Sequence, residues 1–208
     1  IASLGLGRPA GRLVDWPVGF WLGALPILVT VALLAGLGVL RITGVGAGWM
    51  TLALVPALAV AAFGEEIMCR GYLLQNFIDI GRPKAGILFS SVVFWLFHSL
   101  NPAVWSSPWN GLNLFTAGVL LALAYRVSGN LWFPTALHYA WNLFQGVVFE
   151  IPVSGIETDG LVDVHLDAGA PAWLTGGTFG LEGSALVWGV QCALIAGLLV
   201  ALGAARRR

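Results

Sequence analysis

The sequence predicts an all-α fold, a polytopic membrane helix bundle of about six transmembrane helices around a central polar intramembrane site. Three observations predict it. The 208-residue chain is 58% hydrophobic and 10% charged, with a mean hydropathy of +0.87, whereas soluble domains are roughly 25% charged. Several apolar runs approach or exceed the roughly 20 residues that cross a bilayer, including Trp16 to Leu40 and Ala185 to Ala205. Glu65, Glu66, Arg70, His98, His138 and Asn142 interrupt such runs. An ionisable group at mid-bilayer costs about 2.5 to 3.5 kcal/mol on insertion scales, so such groups usually face a protein interior and carry function.

Six helical segments follow from the apolar runs and the turn signals between them. The first, Trp16 to Leu40, is too long for a signal peptide and has no small-residue cleavage site, so it is expected to be retained. An opening Ile1 in place of Met suggests a trimmed chain with room for upstream helices. The second segment, Trp49 to Ile80, stops at Gly81-Arg82-Pro83, and the third, Ala85 to Leu100, stops at Asn101-Pro102. Leu112 to Val127 follows the turn Ser107-Pro108-Trp109-Asn110-Gly111, and Trp132 to Glu150 follows Ser128-Gly129-Asn130. Ser184 to Ala205 closes the array. The first and last segments read as lipid-contacting scaffold, packed through Gly36, Gly38, Gly189 and Gly197. The whole is expected to be one membrane-embedded domain, 1–208, with a core over 49–150. The connection 151–183 either folds over the site as a lid or shields the helix ends.

Charge narrows the partners. Net charge is zero and no basic stripe interleaves with aromatics, which argues against nucleic acid. Cys69 and Cys192 form no C-x-x-C spacing, which argues against redox and zinc-finger roles. With the first residue in the cytoplasm, Arg8, Arg12, Arg82, Lys84, Arg126 and Arg206 to Arg208 all fall inside and only Arg41 falls outside. The C-terminus is then cytoplasmic. The acidic connection, with Glu157, Asp159, Asp163, Asp167 and Glu182, is external, and His165 within it reads as a solvated loop histidine.

Depth brings the polar residues together. At about 1.5 Å per residue, Glu65 is about 21 Å from Asp79 and His98 about 21 Å from Lys84, and both ends lie on the cytoplasmic side. His138 and Asn142 are somewhat shallower. Helical phase then separates roles, since residues four apart share a face while neighbours point about 100° apart. Glu66 faces Arg70, a pair that can brace the helix or its lipid-water boundary, and Glu65 is left as an unpaired carboxylate. Phe94 lies under His98, and His138 shares a face with Asn142. Cys69 reads as a small core residue, and Tyr72, Trp95 and Trp141 flank the motifs as groove or packing aromatics.

A carboxylate beside an imidazole can deprotonate water, and a second imidazole with a carboxamide can donate to an oxyanion. That set suffices for peptide-bond hydrolysis. Glu65, His98 and His138 could alternatively be three zinc ligands with one position open, although no H-E-x-x-H motif occurs and Asn142 suits an oxyanion better than zinc.

Three fragments, Gly64-Glu65-Glu66-Ile67-Met68-Cys69-Arg70, Phe94-Trp95-Leu96-Phe97-His98 and His138-Tyr139-Ala140-Trp141-Asn142, carry the patterns E-E-x-x-x-R, F-x-x-x-H and H-x-x-x-N in order on successive helices. Together they resemble the CPBP family, the CAAX-protease and bacteriocin-processing intramembrane peptidases related to the type II CAAX prenyl endopeptidase. The resemblance spans about Ala61 to Gly146. It implies that Glu65 is the catalytic glutamate, that His98 helps it activate water, and that His138 and Asn142 bind the oxyanion. Glu66 and Arg70 match the remaining positions as structural or substrate-orienting groups, with Phe94 supporting the site. The expected function is an intramembrane endopeptidase of a bacterial cell membrane, cutting a membrane-associated peptide or protein that can be lipidated. No cofactor is required on this reading, and zinc is the alternative.

Rival functions differ in class. A non-catalytic bacteriocin-immunity or binding protein of the same fold would hold its partner without cutting it. A rhomboid-type serine protease needs a nucleophilic Ser near a His, and neither Ser128 nor Ser154 fits. A proton transporter would favour inverted repeats and broken helices, and the sequence contains no internal repeat.

Overall fold

Proline and small polar residues start the helices close to where the sequence places them. The computed structural model describes residues 5–6, 14–46 and 48–205. Its long helices are α1 (Asp15–Gly36), α2 (Trp49–Asp79), α3 (Pro83–His98), α4 (Pro108–Ser128), α5 (Trp132–Asn142) and α6 (Ala185–Ala205). Pro83 and Pro108 occupy first-turn positions where no amide donor is needed. Ser107 Oγ accepts from the Trp109 amide at 3.3 Å, capping α4. Asn130 Oδ1 accepts from the Trp132 and Phe133 amides at 3.0 and 3.2 Å to start α5, and its amide nitrogen donates to Asp15 at 2.7 Å. One turn thereby ties the start of α5 to the start of α1.

Among the described residues, four helices are long and apolar enough to cross a membrane: α1, α2, α4 and α6. This composition is that of an integral membrane protein. The expectation of about six such helices is not met by that measure. The segments are present, but α3 has 16 residues and α5 has 11, continued by a six-residue π-helical stretch, Leu143–Val148. The orientation argument rests partly on Arg8, Arg12 and Arg206 to Arg208, which lie outside the described residues.

The fold is mostly helical, with an addition that corrects the all-α expectation. Leu40–Val45 (β1) pairs antiparallel with Val162–Leu166 (β2), aligning Leu40 with Leu166 and Ile42 with Val164, with an irregularity between Ile42 and Gly44. The first helix ends at Gly36, with Gly38 at φ 73°, so Leu40 belongs to a strand. β-Branched Ile42, Thr43, Val45, Val162 and Val164 suit a pleated ribbon. The strands are over a hundred residues apart, so no hairpin turn signals the pairing.

Half of the apolar window of α4 is buried, against 17% in α2 and α6, which places α4 at the centre and the other two at the periphery. α4 packs on α3, α5 and α6, while α1 lies along α5. The glycines that let α1 approach are not those anticipated. A Cβ on Gly36, Gly38, Gly189 or Gly197 would meet nothing within 4 Å, whereas one on Gly23 would fall 1.9 Å from the Leu137 carbonyl oxygen. Close approach therefore occurs in mid-helix, directly behind His138.

Candidate active site

The three motifs converge on one cavity of about 640 Å³, lined by Glu65, Phe94, His98, His138 and Asn142 among largely apolar neighbours such as Leu58, Met68, Leu114 and Leu121. Their helices α2, α3 and α5 bring them together, with α4 packed against all three. Each of the first and third motifs runs into a π-helical stretch, Ile67–Leu74 and Leu143–Val148. Such bulges widen the turn and frequently occur at functional sites. Arg70 lies inside the first bulge and Asn142 immediately precedes the second.

Glu66 and Arg70 are fully buried, and Arg70 Nη1 donates to Glu66 Oε1 at 2.8 Å. The pair is therefore in the protein interior, where it braces the helix and not a lipid-water boundary. Arg70 Nη2 also donates to the Gly118 carbonyl at 3.1 Å. Gly118 permits this approach, since a Cβ there would lie 2.8 Å from Ser91 Cα and force α4 away from α3. The guanidinium carbon stands 4.7 Å from the Phe94 ring centroid, a cation–π distance. Phe94 in turn packs its ring 4.6 Å from that of His98 and 5.8 Å from that of His138. It forms the floor on which both imidazoles rest.

Both imidazoles have one nitrogen fixed. His98 Nδ1 is 2.9 Å from the Phe94 carbonyl oxygen, and because a carbonyl only accepts, Nδ1 carries the proton and Nε2 faces the cavity. His138 Nδ1 is 3.0 Å from Glu66 Oε1. The neighbour that helical phase separated from Glu65 thus orients the second histidine, a role beyond the supporting one expected of it.

Glu65 makes no ion pair with Arg70. Its Oε2 is 4.0 Å from His98 Nε2 and 3.9 Å from His138 Nε2, and that oxygen has no hydrogen-bond partner among the described residues. These gaps exceed a direct hydrogen bond and are of the size that water bridges. Tetrahedral zinc ligands with bonds of about 2.0 Å stand about 3.3 Å apart, closer together than Glu65 Oε2 stands to either imidazole nitrogen. Among the described residues no group of three His, Cys, Asp or Glu side chains is arranged to hold a metal ion.

Several cavity residues carry no signal in helical spacing. Val153, Ser154, Ile156 and Glu182 come from the connection after α5, which folds over the cavity and contributes to its wall. Burial pushes the Glu182 carboxyl above its ordinary range, while hydrogen bonds from Ser154 and the nearby His98 act to lower it. Trp141 lines the cavity, Tyr72 is exposed, and Trp95 packs against Trp105 in a separate groove. Cys69 is buried in the core as expected, and His165 pairs across the ribbon from Arg41.

Residues 47–144 match the family model described as Type II CAAX prenyl endopeptidase Rce1-like. The chain carries a domain of that peptidase family. The matched stretch contains Glu65, Glu66, Arg70, Phe94, His98, His138 and Asn142, and so all three motifs. It begins at the foot of α2 and omits α1, both strands of the β-ribbon and α6. No curated protein and no solved structure matched the chain.

Proposed function

We propose that this Rce1-like domain is an intramembrane endopeptidase in which Glu65 and His98 activate water and His138 and Asn142 stabilise the oxyanion. The observation that carries the reading is the placement of the unpartnered Glu65 oxygen within 4.0 Å of two imidazole nitrogens in an apolar cavity. With its proton on Nδ1, His98 presents an acceptor at Nε2, and Glu65 presents another. A water donating to both keeps a lone pair free for attack on a peptide carbonyl.

Glu65 takes the water proton as the carbon–oxygen bond forms. The carbonyl oxygen becomes an oxyanion that accepts hydrogen bonds from Asn142 and from His138 Nε2. Because Nδ1 of His138 already donates to Glu66, Nε2 can donate only when the ring is an imidazolium. Glu65 then returns the proton to the leaving amine as the carbon–nitrogen bond breaks.

The substrate is a peptide or protein at the membrane, and the family's name makes a prenylated chain a candidate. In a bilayer the shorter α3 and α5 would complete six crossings, packed inside the four long helices. We place the protein in a bacterial cell membrane with its C-terminus in the cytoplasm. Purified protein in detergent should cleave members of a peptide library, and Glu65→Ala, His98→Ala and His138→Ala should each reduce cleavage by at least about 10²-fold. Cleavage unchanged in these variants would refute the reading. Tight binding of peptide without any cleavage would instead favour a non-catalytic binding protein.

A further inference from the structure

The cavity holds a second carboxylate that this reaction does not use. Glu182 sits on the 3-10 turn Leu181–Gly183, is 8% exposed, and lines the same cavity as Glu65. Its Oε2 accepts from the Ser154 amide at 2.6 Å and from the Ser154 hydroxyl at 2.8 Å. The Ser154 carbonyl accepts from Asn101 Nδ2 at 2.7 Å, and the Asn101 amide donates to the His98 carbonyl at 2.9 Å. Glu182 is thus tethered to the end of α3, where His98 lies.

Its hydrogen-bond donors are neutral. The cavity lining includes the carboxylates Glu65 and Glu182 and no Lys or Arg; its basic side chains, His98 and His138, both present Nε2 to Glu65, while the nearby Arg70 is committed to Glu66 and a backbone carbonyl. A buried carboxylate is expensive without an opposite charge and strongly favours one that enters with good hydrogen-bond geometry. We propose that Glu182 is a specificity-determining residue that binds an ammonium or guanidinium group of the substrate, so that the chamber selects peptides with a positive charge near the cleaved bond. Cleavage itself rests on the endopeptidase reading above; recognition of the cation does not.

The test compares labelled peptides that differ at one position, Lys, Arg or norleucine, each with a free or acetylated amino terminus. Binding is measured by fluorescence anisotropy in the Glu65→Gln background, with and without Glu182→Gln, and kcat/KM is measured in the Glu65-containing enzyme. A cationic peptide should bind about 30-fold more tightly than its neutral counterpart, and Glu182→Gln should bring the ratio close to one. Loss of the preference on norleucine substitution assigns the charge to a side chain; loss on acetylation assigns it to the amino terminus. Equal binding of charged and neutral peptides would overturn the proposal, as would a preference that survives Glu182→Gln. A uniform loss across all peptides in that variant would also overturn it, because Glu182 would then serve the imidazoles or the fold. A preference that depends on Glu182 without any cleavage would remove the peptidase reading and leave the cation site standing.

Discussion

His138 holds Glu66 through Nδ1 at 3.0 Å, and the same Glu66 oxygen accepts from Arg70 at 2.8 Å. One buried carboxylate oxygen therefore serves a structural cation and a site histidine at once. This coupling means that damage to the pair reaches the site.

Removing Glu66 should be severe. Glu66→Ala leaves the Arg70 guanidinium buried without its carboxylate, which is expected to destabilise the protein by about 3 to 5 kcal/mol. The double variant Glu66→Leu with Arg70→Met removes both charges and should recover much of that stability while peptide cleavage stays low, because His138 has lost its orienting partner. Thermal unfolding in detergent and kcat/KM on the same preparations separate the two effects.

At the proposed water site, Glu65→Gln preserves shape and removes the base. The expected loss in kcat is about 10² to 10⁴-fold, with an unchanged circular dichroism spectrum. His98→Ala should fall in the same range. A loss below tenfold for Glu65→Gln would place the base elsewhere.

Metal removal should leave the reaction intact. The wide spacing of Glu65, His98 and His138 leads us to expect undiminished peptide cleavage after exhaustive chelation, with metal content followed by elemental analysis. Activity lost on chelation and restored by zinc would overturn the water-activation scheme.

Gly118→Ala tests the approach of α4 to α3. Its Cβ would stand 2.8 Å from Ser91 Cα, and overpacking of that kind typically costs about 1 to 3 kcal/mol. A lower unfolding midpoint is expected, together with reduced activity, since the shift also withdraws the carbonyl that Arg70 uses.

Glu182 should give stability a pH dependence. Burial raises its carboxyl, so the folded state holds the proton more tightly than the unfolded chain. The stability contributed is full below the unfolded value near 4.5 and is lost as pH rises through the higher folded value. Glu182→Gln, which mimics the protonated acid, should match the parent protein at the acid end and exceed its unfolding temperature at the alkaline end. Parallel curves across the whole range would contradict this.

Sequence alone determined the six helical segments and the three motifs, because apolar runs, proline and glycine punctuation and four-residue phase are local properties. Glu65 was separable from Glu66 on those grounds. Tertiary structure decided what spacing along a helix does not encode. It buried the Glu66 and Arg70 pair beside Gly118, gave Glu66 to His138, and opened π-helical stretches within the first motif and after the third. It also paired Leu40–Val45 with Val162–Leu166 and turned Glu182 into the cavity. Each of these depends on contacts between residues far apart in the chain, where no periodic signal links the partners and only packing brings them together.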